Sequence, residues 1–485
     1  MRDDSASGKP RLAPNLRALP MASVYIETFG CQMNEADSQY IARRAVSAGY
    51  TIATQPHDAN VVVLNTCTVR ETAERRAYGR MAHLGVLKRT NPELKLVVTG
   101  CLAEQDRDHM QRAVPHVDAV FGTSELASLG DALVIWRSTF EDTEATEAQA
   151  LLQLGGEADC VTDQFSHLRA FVTVQRGCSY YCTFCIVPHV RGRFDHRPIA
   201  DILSDVQEKV RAGAREVMLV GQTVNSYRDP SGADFGTLVR EVAEISGLER
   251  LTFISPHPKD FTEQIVRDLA AVPQLNPRVH LPLQSASDAV LRRMNRKYTV
   301  AQYAEKLALF KSYLPRWAVT TDIIVGFPGE TDADFERTLQ FCELVQFAQA
   351  FMFIYSPRRG TPAARWEQVP PEVSAARFKR LADVQNSATL AYHKKKVGRE
   401  VRALITGTSK KDRAKLAGKT PDNVTVIVPQ PEDIDLQQYA ATPWIEVHVD
   451  EAHVWGCTGT MTHRATRYAE RGAAVRAPMV DLIAH

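Results

Sequence analysis

The sequence predicts an α/β protein in which three folded regions follow one another along the chain. Between residues 23 and about 130, short apolar runs alternate with amphipathic helical segments, as in a doubly wound parallel sheet. Between residues 166 and 395, six further strand candidates are separated by helical segments, which predicts a partial (βα)6 TIM-like barrel. These candidates cover residues 170–175, 216–220, 250–254, 278–283, 319–325 and 350–355. Beyond residue 396, short β-like segments at residues 401–405, 424–428 and 444–449, separated by turns containing Gly, Pro and Asp, predict a small β-barrel.

The composition is that of an ordinary soluble protein. The 485 residues carry a formal net charge of +1, and no apolar run approaches the length of a membrane span, roughly 18 to 20 residues. The nine cysteines form no even framework typical of secreted disulfide-rich proteins. Residues 1–22 contain Asp3 and Asp4 and lack the apolar core of a secretory signal. We therefore expect a cytoplasmic protein that does not contact membranes.

The division into domains follows from changes in composition. A chain of this length can form two to four separate cores. An acidic, Ala/Thr-rich tract at residues 141–147 is typical of a linker or a solvated helix. The predicted segments are a disordered extension (1–22), an N-terminal domain (23–140), a linker (141–165), a barrel domain (166–395), a C-terminal β-barrel domain (396–462) and a tail (463–485).

Three predicted strands of the N-terminal domain each end at a cysteine. They cover residues 24–30, 61–66 and 96–100, and are followed by Cys31, Cys67 and Cys101. Because the carboxyl ends of parallel strands line one crevice, we expect these thiols to meet in space. A lone cysteine is usually a small buried hydrophobe, but three in one register predict a shared metal site with an open position. The residues that fit no such pattern, and that we interpret as structural, are Cys160, Cys342 and Cys457.

A second set of three cysteines opens the barrel domain. Cys178, Cys182 and Cys185 have the spacing C-x3-C-x2-C and follow the predicted strand at residues 170–175. Such tight clustering in an intracellular chain indicates metal or redox chemistry rather than disulfides. A closed iron-sulfur carrier or a structural zinc site uses four protein ligands, so three ligands predict a position left open for a substrate.

The other predicted strand ends of the barrel are unusually polar. These segments are rich in Gly, Gln, Asn and Ser and cover residues 221–227, 284–285, 326–330 and 356–360. Glycine allows backbone to approach a ligand closely, and amide side chains offer both donors and acceptors. Each segment alone is typical of an ordinary turn. Together, above a cysteine cluster, they predict a cofactor pocket.

The entry to the third region is basic. Its cationic residues are Lys394, Lys395, Lys396, Arg399, Arg402, Lys410, Lys411, Arg413, Lys415 and Lys419. Only Glu400 and Asp412 oppose them within this stretch. A run of charges is usually a solvated surface. The alternative interpretation is that these residues bind an RNA backbone.

The chain resembles the radical S-adenosylmethionine (AdoMet) methylthiotransferases from Ser23 to about Thr460. The three-cysteine loop, with Phe184 before its last cysteine, is similar to the cluster loop of the radical AdoMet superfamily. The order of a three-cysteine domain, a radical AdoMet domain and a small TRAM barrel is similar to the methylthiotransferase branch. The resemblance therefore implies a transferase.

Three branches of this family act on different substrates. The motifs TFGCQMNE (28–35), NTCTVRE (65–71) and YSPRRGTP (355–362) most resemble the branch that acts on N6-isopentenyladenosine beside the tRNA anticodon. The alternatives modify threonylcarbamoyl-adenosine in tRNA or an aspartate of a ribosomal protein. They typically have Lys-Val or Pro-Lys after the first cysteine, where this chain has Gln32 and Met33. Ala286 replaces a glycine that is usual in the family, which would slightly crowd the AdoMet pocket.

The resemblance also implies cofactors and their ligands. The cysteines of two [4Fe-4S] clusters would be Cys178, Cys182 and Cys185 for the first and Cys31, Cys67 and Cys101 for the second. One AdoMet, at the open iron of the first cluster, would be cleaved reductively to activate C2 of the adenine. The second cluster would carry sulfur, and a second AdoMet would supply the methyl group. The AdoMet contacts would be Gln222, Asn225, Gln284 and Asp322.

The implied partners are the anticodon stem-loop of tRNA, gripped by the TRAM barrel, and reduced flavodoxin or ferredoxin as electron donor. A monomer is expected. The competing interpretation is a non-catalytic iron-sulfur carrier or scaffold. Two incomplete cysteine sets and a polar barrel mouth argue against it.

Overall fold

The computed structural model describes residues 22–68, 71–140, 168–409, 411–430 and 443–465 of the chain. The acidic tract, Cys160 and Lys410 lie outside these residues, as do most of the predicted extension, linker and tail. None of the described helices is long and apolar enough to cross a membrane.

The N-terminal domain is a five-stranded parallel sheet in the order β2-β1-β3-β4-β5. The strands are β1 (Ser23–Thr28), β2 (Thr51–Ile52), β3 (Val61–Thr66), β4 (Lys95–Gly100) and β5 (Ala119–Phe121). The helices are α1 (Gln32–Ser47), α2 (Glu71–Thr90), α3 (Cys101–Ala113) and α4 (Leu126–Arg137). This order confirms the predicted doubly wound sheet.

Both faces of this sheet are covered, which explains its unbroken apolar runs. Val62 belongs to a core cluster with Met81 of α2, whereas the adjacent Val63 belongs to another with Ile41 of α1. Successive side chains of a strand point to opposite faces, so one run serves both cores. Asn65 near the end of β3 is in register with the ends of β1 and β4. The carboxyl ends of these three strands therefore lie along one edge.

The barrel domain contains two parallel three-stranded sheets, β10-β9-β6 and β11-β12-β13. Its strands are β6 (Arg169–Thr173), β7 (Gln175–Arg176), β8 (Asp195–His196), β9 (Glu216–Val220), β10 (Arg250–Phe253), β11 (Arg278–His280), β12 (Ala318–Val325) and β13 (Gln349–Ile354). A bridge between Leu251 and Leu275 connects the two sheets. The result is the predicted partial six-stranded barrel, with β7 and β8 as a separate antiparallel pair.

Helices separate the barrel strands and enclose one large core. They are α5 (Val187–Val190), α6 (Ile199–Arg211), α7 (Phe235–Ala243), α8 (Glu263–Ala270), α9 (Asp288–Arg293), α10 (Val300–Tyr313), α11 (Asp332–Val345) and α12 (Pro371–Lys394). Helices α8 to α11 each follow a Ser or Thr whose hydroxyl accepts a backbone N–H of the first turn: Thr262, Ser287, Thr299 and Thr331. Such a cap is worth about 1 kcal/mol and fixes where each loop ends.

The C-terminal domain is a closed barrel in the order β14-β15-β16-β18-β17. Its strands are β14 (Glu400–Thr408), β15 (Lys415–Lys419), β16 (Thr425–Pro429), β17 (Trp444–His453) and β18 (Gly456–Ala465). The predicted small barrel is confirmed. The sequence pattern predicts only three of these five strands, near residues 401–405, 424–428 and 444–449.

A buried arginine joins the two barrels. Arg250 of β10 forms an ion pair with Glu216 at 2.6 Å and donates to the carbonyls of Lys419 and Thr420 at 3.2 and 3.3 Å. Its guanidinium lies 5.4 Å from the ring centre of Trp444. A buried charge is tolerated only when it is paired and hydrogen-bonded in this way.

Candidate functional site

The three N-terminal cysteines lie at the carboxyl edge of the first sheet. Cys31 precedes α1, Cys67 follows β3 and Cys101 is the first residue of α3. A methyl group on Gly30, whose φ is +124°, would lie 2.9 Å from the sulfur of Cys67. Only glycine permits that close approach of the two chain segments.

An amide network holds these strand ends together. The buried side chain of Asn34 donates to the carbonyls of Phe29 and Thr66, at 2.9 Å in both cases. Asn65 in turn donates to the carbonyl of Asn34 at 2.7 Å and to the hydroxyl of Ser38 at 2.9 Å. The loops that carry Cys31 and Cys67 are thus fixed by hydrogen bonds between β1, α1 and β3.

An arginine of the barrel domain completes this site. Arg191 lies just after α5, six residues beyond Cys185. Its Nε donates to the sulfur of Cys101 at 3.2 Å, and its Nη2 donates to Asn34 Oδ1 at 2.9 Å. The same Nη2 pairs with Asp37 at 2.9 Å. The N-terminal site is therefore built from two domains.

The second set of cysteines occupies the loop after β7. The amide of Cys185 donates to the carbonyl of Cys182, and Cys178 Sγ lies 3.3 Å from Thr223 Oγ1. Arg296 donates from Nη1 to the sulfur of Cys182 at 3.5 Å. Each three-cysteine site thus has one guanidinium next to one sulfur.

The two sites meet across the domain interface. Ile186, the neighbour of Cys185, packs with Val190 against Cys101. Thr123 donates its hydroxyl to the carbonyl of Val190. Ile186 therefore connects the two sites, because it follows Cys185 in the chain and contacts Cys101.

Burial makes one thiol of each set hard to ionise. Burial raises the pKa of Cys101 to about 12, although the positive charge of Arg191 acts against that rise. Burial also raises the pKa of Cys185 to about 12, and the neighbouring Cys182 adds to this effect. A metal that binds here must displace these protons, and the energy of its bonds to sulfur compensates for doing so.

Each cysteine site offers three thiols as candidate metal ligands. Across the described ranges, no three His, Cys, Asp or Glu side chains are grouped as ligands of one metal ion. Thiolates are the protein ligands of iron-sulfur clusters. Three thiols at each site leave one iron of a four-iron cluster without a protein cysteine.

Of the four predicted AdoMet contacts, Gln222 and Asn225 follow β9, Gln284 follows β11, and Asp322 lies within β12. Gln222 Oε1 is buried and accepts no hydrogen bond from the residues that the structure describes. Asn225 is occupied by the backbone of His257, donating to its carbonyl at 2.9 Å and accepting its N–H at 2.7 Å. Gln284 has a φ of +68°, and its backbone bridges to β12. Asp322 lies 3.2 Å from His280 Nε2.

The predicted crowding residue faces the protein interior. Ala286 is buried in the barrel core, and its N–H donates to Thr338 Oγ1 at 3.0 Å. Cys342 and Cys457, interpreted as structural, are both buried.

Sequence patterns alone missed several polar residues beside these sites. Tyr180 stacks on His257 with ring centres 4.2 Å apart. Burial lowers the pKa of His257 to about 2, helped by the positive charge of Arg296, so this imidazole is neutral. Single residues of this kind have no periodic pattern. The only available signal for Arg191 and Tyr180 was their position close to the cysteine motif.

A cavity of about 500 Å³ lies between the N-terminal domain and the segment after β13. Its wall includes Thr68 and Leu102, which neighbour Cys67 and Cys101. Other lining residues are Glu74, Arg75, Tyr78, Gln105, Asp106, Pro357, Arg358 and Arg359. Of the four polar strand-end segments, residues 356–360 therefore border this cavity.

Several residues of the basic entry have carboxylate partners in the fold. Lys396 pairs with Asp422 at 2.6 Å and Arg402 with Glu446 at 2.6 Å. Lys415 pairs with Asp412 at 3.4 Å. The exposed cations outside these pairs include Lys394, Lys395, Arg399, Lys411 and Arg413. The folded surface is less positive than the linear run.

Comparison with known proteins agrees with this architecture. Residues 172–342 match the Radical SAM superfamily, and residues 23–122 match the uncharacterized protein family UPF0004. A tRNA-2-methylthio-N(6)-dimethylallyladenosine synthase of Syntrophotalea carbinolica is 39% identical over 83% of this chain and 92% of its own. The chain belongs to this synthase family.

Other members of the family are equally similar. A synthase of the same name from Mycobacterium bovis is 40% identical over 95% of this chain and 92% of its own. One from Bifidobacterium adolescentis is 42% identical over 85% of this chain and 88% of its own. Among solved structures, the radical S-adenosylmethionine methyltransferase TsrM from Kitasatospora setae has a TM-score of 0.52 at 14% identity. It covers 70% of this chain and 77% of its own, which is a likeness of fold alone.

Proposed function

We propose that this protein is a radical AdoMet methylthiotransferase that converts N6-isopentenyladenosine next to the tRNA anticodon to its 2-methylthio derivative. The observation that carries the proposal is the contact of Ile186 with Cys101, which brings two three-cysteine sites to one interface. An electron carrier does not need two incomplete ligand sets close together. An enzyme that transfers a group from one site to a substrate activated at the other site does need them.

Cys178, Cys182 and Cys185 would hold the [4Fe-4S] cluster that the radical AdoMet family implies, with AdoMet at its open iron. The second set, Cys31, Cys67 and Cys101, would hold a further [4Fe-4S] cluster that carries sulfur. These cofactors supply one-electron cleavage, sulfur and a methyl group. The protein contributes binding, orientation and exclusion of water.

The chain's own residues fit those roles. The guanidinium groups of Arg191 and Arg296 lie beside one sulfur of each set and would stabilise its anionic form. The N-terminal domain packs over the loop at α5 and would keep water from the space between the sites.

The proposed AdoMet contacts are Gln222, Asn225, Gln284 and Asp322. Gln222 offers a buried, unused acceptor, which suits a donor of the cofactor. Asn225 also ties the loop of His257 to that of β9, so its loss would displace both loops.

The anticodon stem-loop would contact the C-terminal domain through its exposed cations, such as Arg399 and Arg413. Its target adenine would leave the base stack to reach the interface of the two cysteine sites. Reduced flavodoxin or ferredoxin is the proposed electron donor, in the cytoplasm, with the enzyme acting as a monomer.

The first test is anaerobic. The reconstituted protein with AdoMet and dithionite is expected to release 5′-deoxyadenosine, and wild-type protein that releases none would contradict the radical assignment.

The second test compares tRNA nucleosides by mass spectrometry in cells with and without the gene. We expect loss of 2-methylthio-N6-isopentenyladenosine. An unchanged level of that nucleoside, with a change in threonylcarbamoyl-adenosine or a ribosomal-protein aspartate, would assign the chain to a sister activity.

A further inference from the structure

The cavity of about 500 Å³ between the N-terminal domain and the segment after β13 has the size of a pocket for a small ligand. On the N-terminal side its wall includes Thr68 and Leu102, the residues that follow Cys67 and Cys101. On the barrel side its wall is formed by residues 357–359. A ligand in this cavity would therefore lie beside the N-terminal cysteine site.

Ion pairs join the two walls of the cavity. Arg359 donates from Nη2 to Asp106 Oδ1 at 3.1 Å, and Arg358 Nη1 lies 3.9 Å from Glu74 Oε2. The hydroxyl of Tyr78 donates to the other oxygen of Asp106 at 3.0 Å. Helix α3 is interrupted at Asp106, where φ is −133° and ψ is 29°. Asp106 thus has a hydrogen bond from its own domain that does not depend on Arg359.

The side chain of Arg359 is accessible to a ligand from solvent. It is 78% exposed, whereas the backbone carbonyl of Arg359 accepts a hydrogen bond from Gln105 Nε2 at 3.4 Å. Exposed ion pairs contribute little to stability, so another anion can replace the carboxylate of Asp106 at little cost. Arg359 can therefore bind an anion while its backbone stays at the cavity.

The charges of the cavity suit a phosphate group. The lining has three arginines and two carboxylates, which gives a net positive charge: Arg75, Arg358, Arg359, Glu74 and Asp106. A guanidinium binds phosphate through two parallel N–H···O hydrogen bonds. The ring of Tyr78 adds an aromatic surface of the kind that contacts unpaired nucleotides of RNA. A single nucleotide of an RNA loop combines these two features.

We propose that this cavity holds the nucleotide next to the target adenosine, with its phosphate bound to Arg359 in place of Asp106. This rests on the proposed function, because the ligand is the tRNA anticodon loop. When the target adenine enters the interface of the cysteine sites, its neighbour in the RNA remains one nucleotide away. The cavity wall begins one residue beyond Cys67 and Cys101, so it lies where that neighbour is expected. Arg359 is thus a positioning residue, and its contact with phosphate fixes the register of the RNA.

The test measures RNA binding by the full-length protein with its clusters reconstituted, in the absence of reductant. The probe is a fluorescent anticodon stem-loop that carries N6-isopentenyladenosine, followed by anisotropy over a series of salt concentrations. Arg359→Gln is expected to weaken binding about tenfold and to reduce the slope of log affinity against log salt by about 0.7, as for one phosphate of a single strand. Asp106→Asn is expected to bind at least as tightly as wild type, because a carboxylate that competes for Arg359 is lost.

The two variants separate a phosphate contact from an ion pair that only joins the domains. In the second case both variants would weaken binding alike and leave the salt slope unchanged, which would overturn the inference. The matched control is Arg337→Gln, which removes an exposed arginine from its 2.9 Å pair with Asp334 on α11. We expect wild-type affinity for this control. A loss equal to that of Arg359→Gln would overturn a specific role for Arg359.

Failure of the inference and failure of the proposed function give different results. Wild-type protein that does not bind the stem-loop overturns both. Binding that depends on Arg359, without a 2-methylthio product after AdoMet and dithionite are added, overturns the proposed function and leaves the phosphate contact. Product formation with wild-type affinity and salt slope in Arg359→Gln overturns the inference alone. If Arg359→Gln loses iron, Arg359→Lys decides, because a retained salt slope supports the phosphate contact and a reduced slope overturns it.

Discussion

The two three-cysteine sites differ in how much of the chain each one needs. Cys178, Cys182 and Cys185 lie within one loop, so a local turn positions all three. Cys31, Cys67 and Cys101 are separated by more than thirty residues each and meet only when β1, β3 and β4 align. The first site is a local motif, whereas the second is a product of the whole sheet.

Their arginines differ as well. Arg191 next to Cys101 is compensated by Asp37. Arg296 next to Cys182 donates from Nε to the hydroxyl of Tyr298 at 3.1 Å and, within the part of the chain that the structure describes, pairs with no carboxylate. The barrel site therefore has the less compensated positive charge. A cluster there is expected to be the easier of the two to reduce.

The largest predicted effect separates the two sites by their cysteines. Cys182→Ala is expected to abolish 5′-deoxyadenosine formation, because a three-ligand cluster does not tolerate loss of a ligand. Cys67→Ala is expected to retain 5′-deoxyadenosine formation and to abolish methylthiolation of tRNA, with about half of the iron lost. The measurement is product analysis by mass spectrometry with an iron count per chain.

The control is Cys342→Ala, a buried cysteine of the barrel core outside both sets. It is expected to keep full iron. Retention of 5′-deoxyadenosine formation by Cys182→Ala, or its loss in Cys67→Ala with the first cluster intact, would remove the distinction between the sites.

An intermediate effect is expected from the arginine of the barrel site. Arg296→Gln should slow AdoMet cleavage about 10- to 100-fold and make the first cluster harder to reduce, because a charge next to Cys182 is lost. The shift in midpoint potential should exceed that of Arg191→Gln at the second cluster, since Asp37 already offsets Arg191. Redox titration of single-cluster variants measures both shifts.

The exposed Arg292 on α9, four residues earlier, gives a matched control when changed to Gln. Equal shifts for Arg296→Gln and Arg292→Gln would show that the contact with Cys182 has no special effect. A larger shift at the second cluster than at the first would reverse the proposed order of reduction.

The smallest effect probes the dependence of the second site on the sheet. Gly100 has a φ of +99°, and a Cβ there would lie 2.2 Å from the carbonyl oxygen of Thr66. Gly100→Ala is expected to cost about 1–3 kcal/mol of unfolding free energy and to lower iron loading at the second site only. Chemical denaturation and iron analysis measure the two effects.

Gly79→Ala is the matched substitution, because this glycine of α2 has no atom within 4 Å of an added Cβ. Replacing a helical glycine by alanine should stabilise the domain by roughly 0.5–1 kcal/mol. If Gly100→Ala left second-site iron intact, alignment of the strand ends would not be needed for metal binding.

Strand and helix patterns predicted most of the fold. The apolar run at Val61–Thr66 and the six barrel strands were visible because burial follows strand and helix periodicity. The strand predicted for residues 278–283 is shorter, Arg278–His280, because Pro282 has no N–H to pair. Strand Lys415–Lys419 was missed, since its small and basic residues resemble a charged loop.

The site was only partly predictable. The six cysteines stood out by spacing and by strand-end position, whereas Arg191 and Arg296 did not, because a single residue that acts across a domain interface has no local pattern. The same limit applies to the basic entry. Asp422 and Glu446 pair with Lys396 and Arg402 only after the barrel closes.

The sequence by itself determined the order of three domains, two sets of three thiols and the family resemblance, because these depend on local spacing and periodicity. The tertiary structure alone decided that Ile186 and Arg191 reach Cys101, and that Asn225 is bonded to the backbone of His257. Such contacts join residues tens of positions apart. They depend on how strands align and domains pack, which no local pattern encodes.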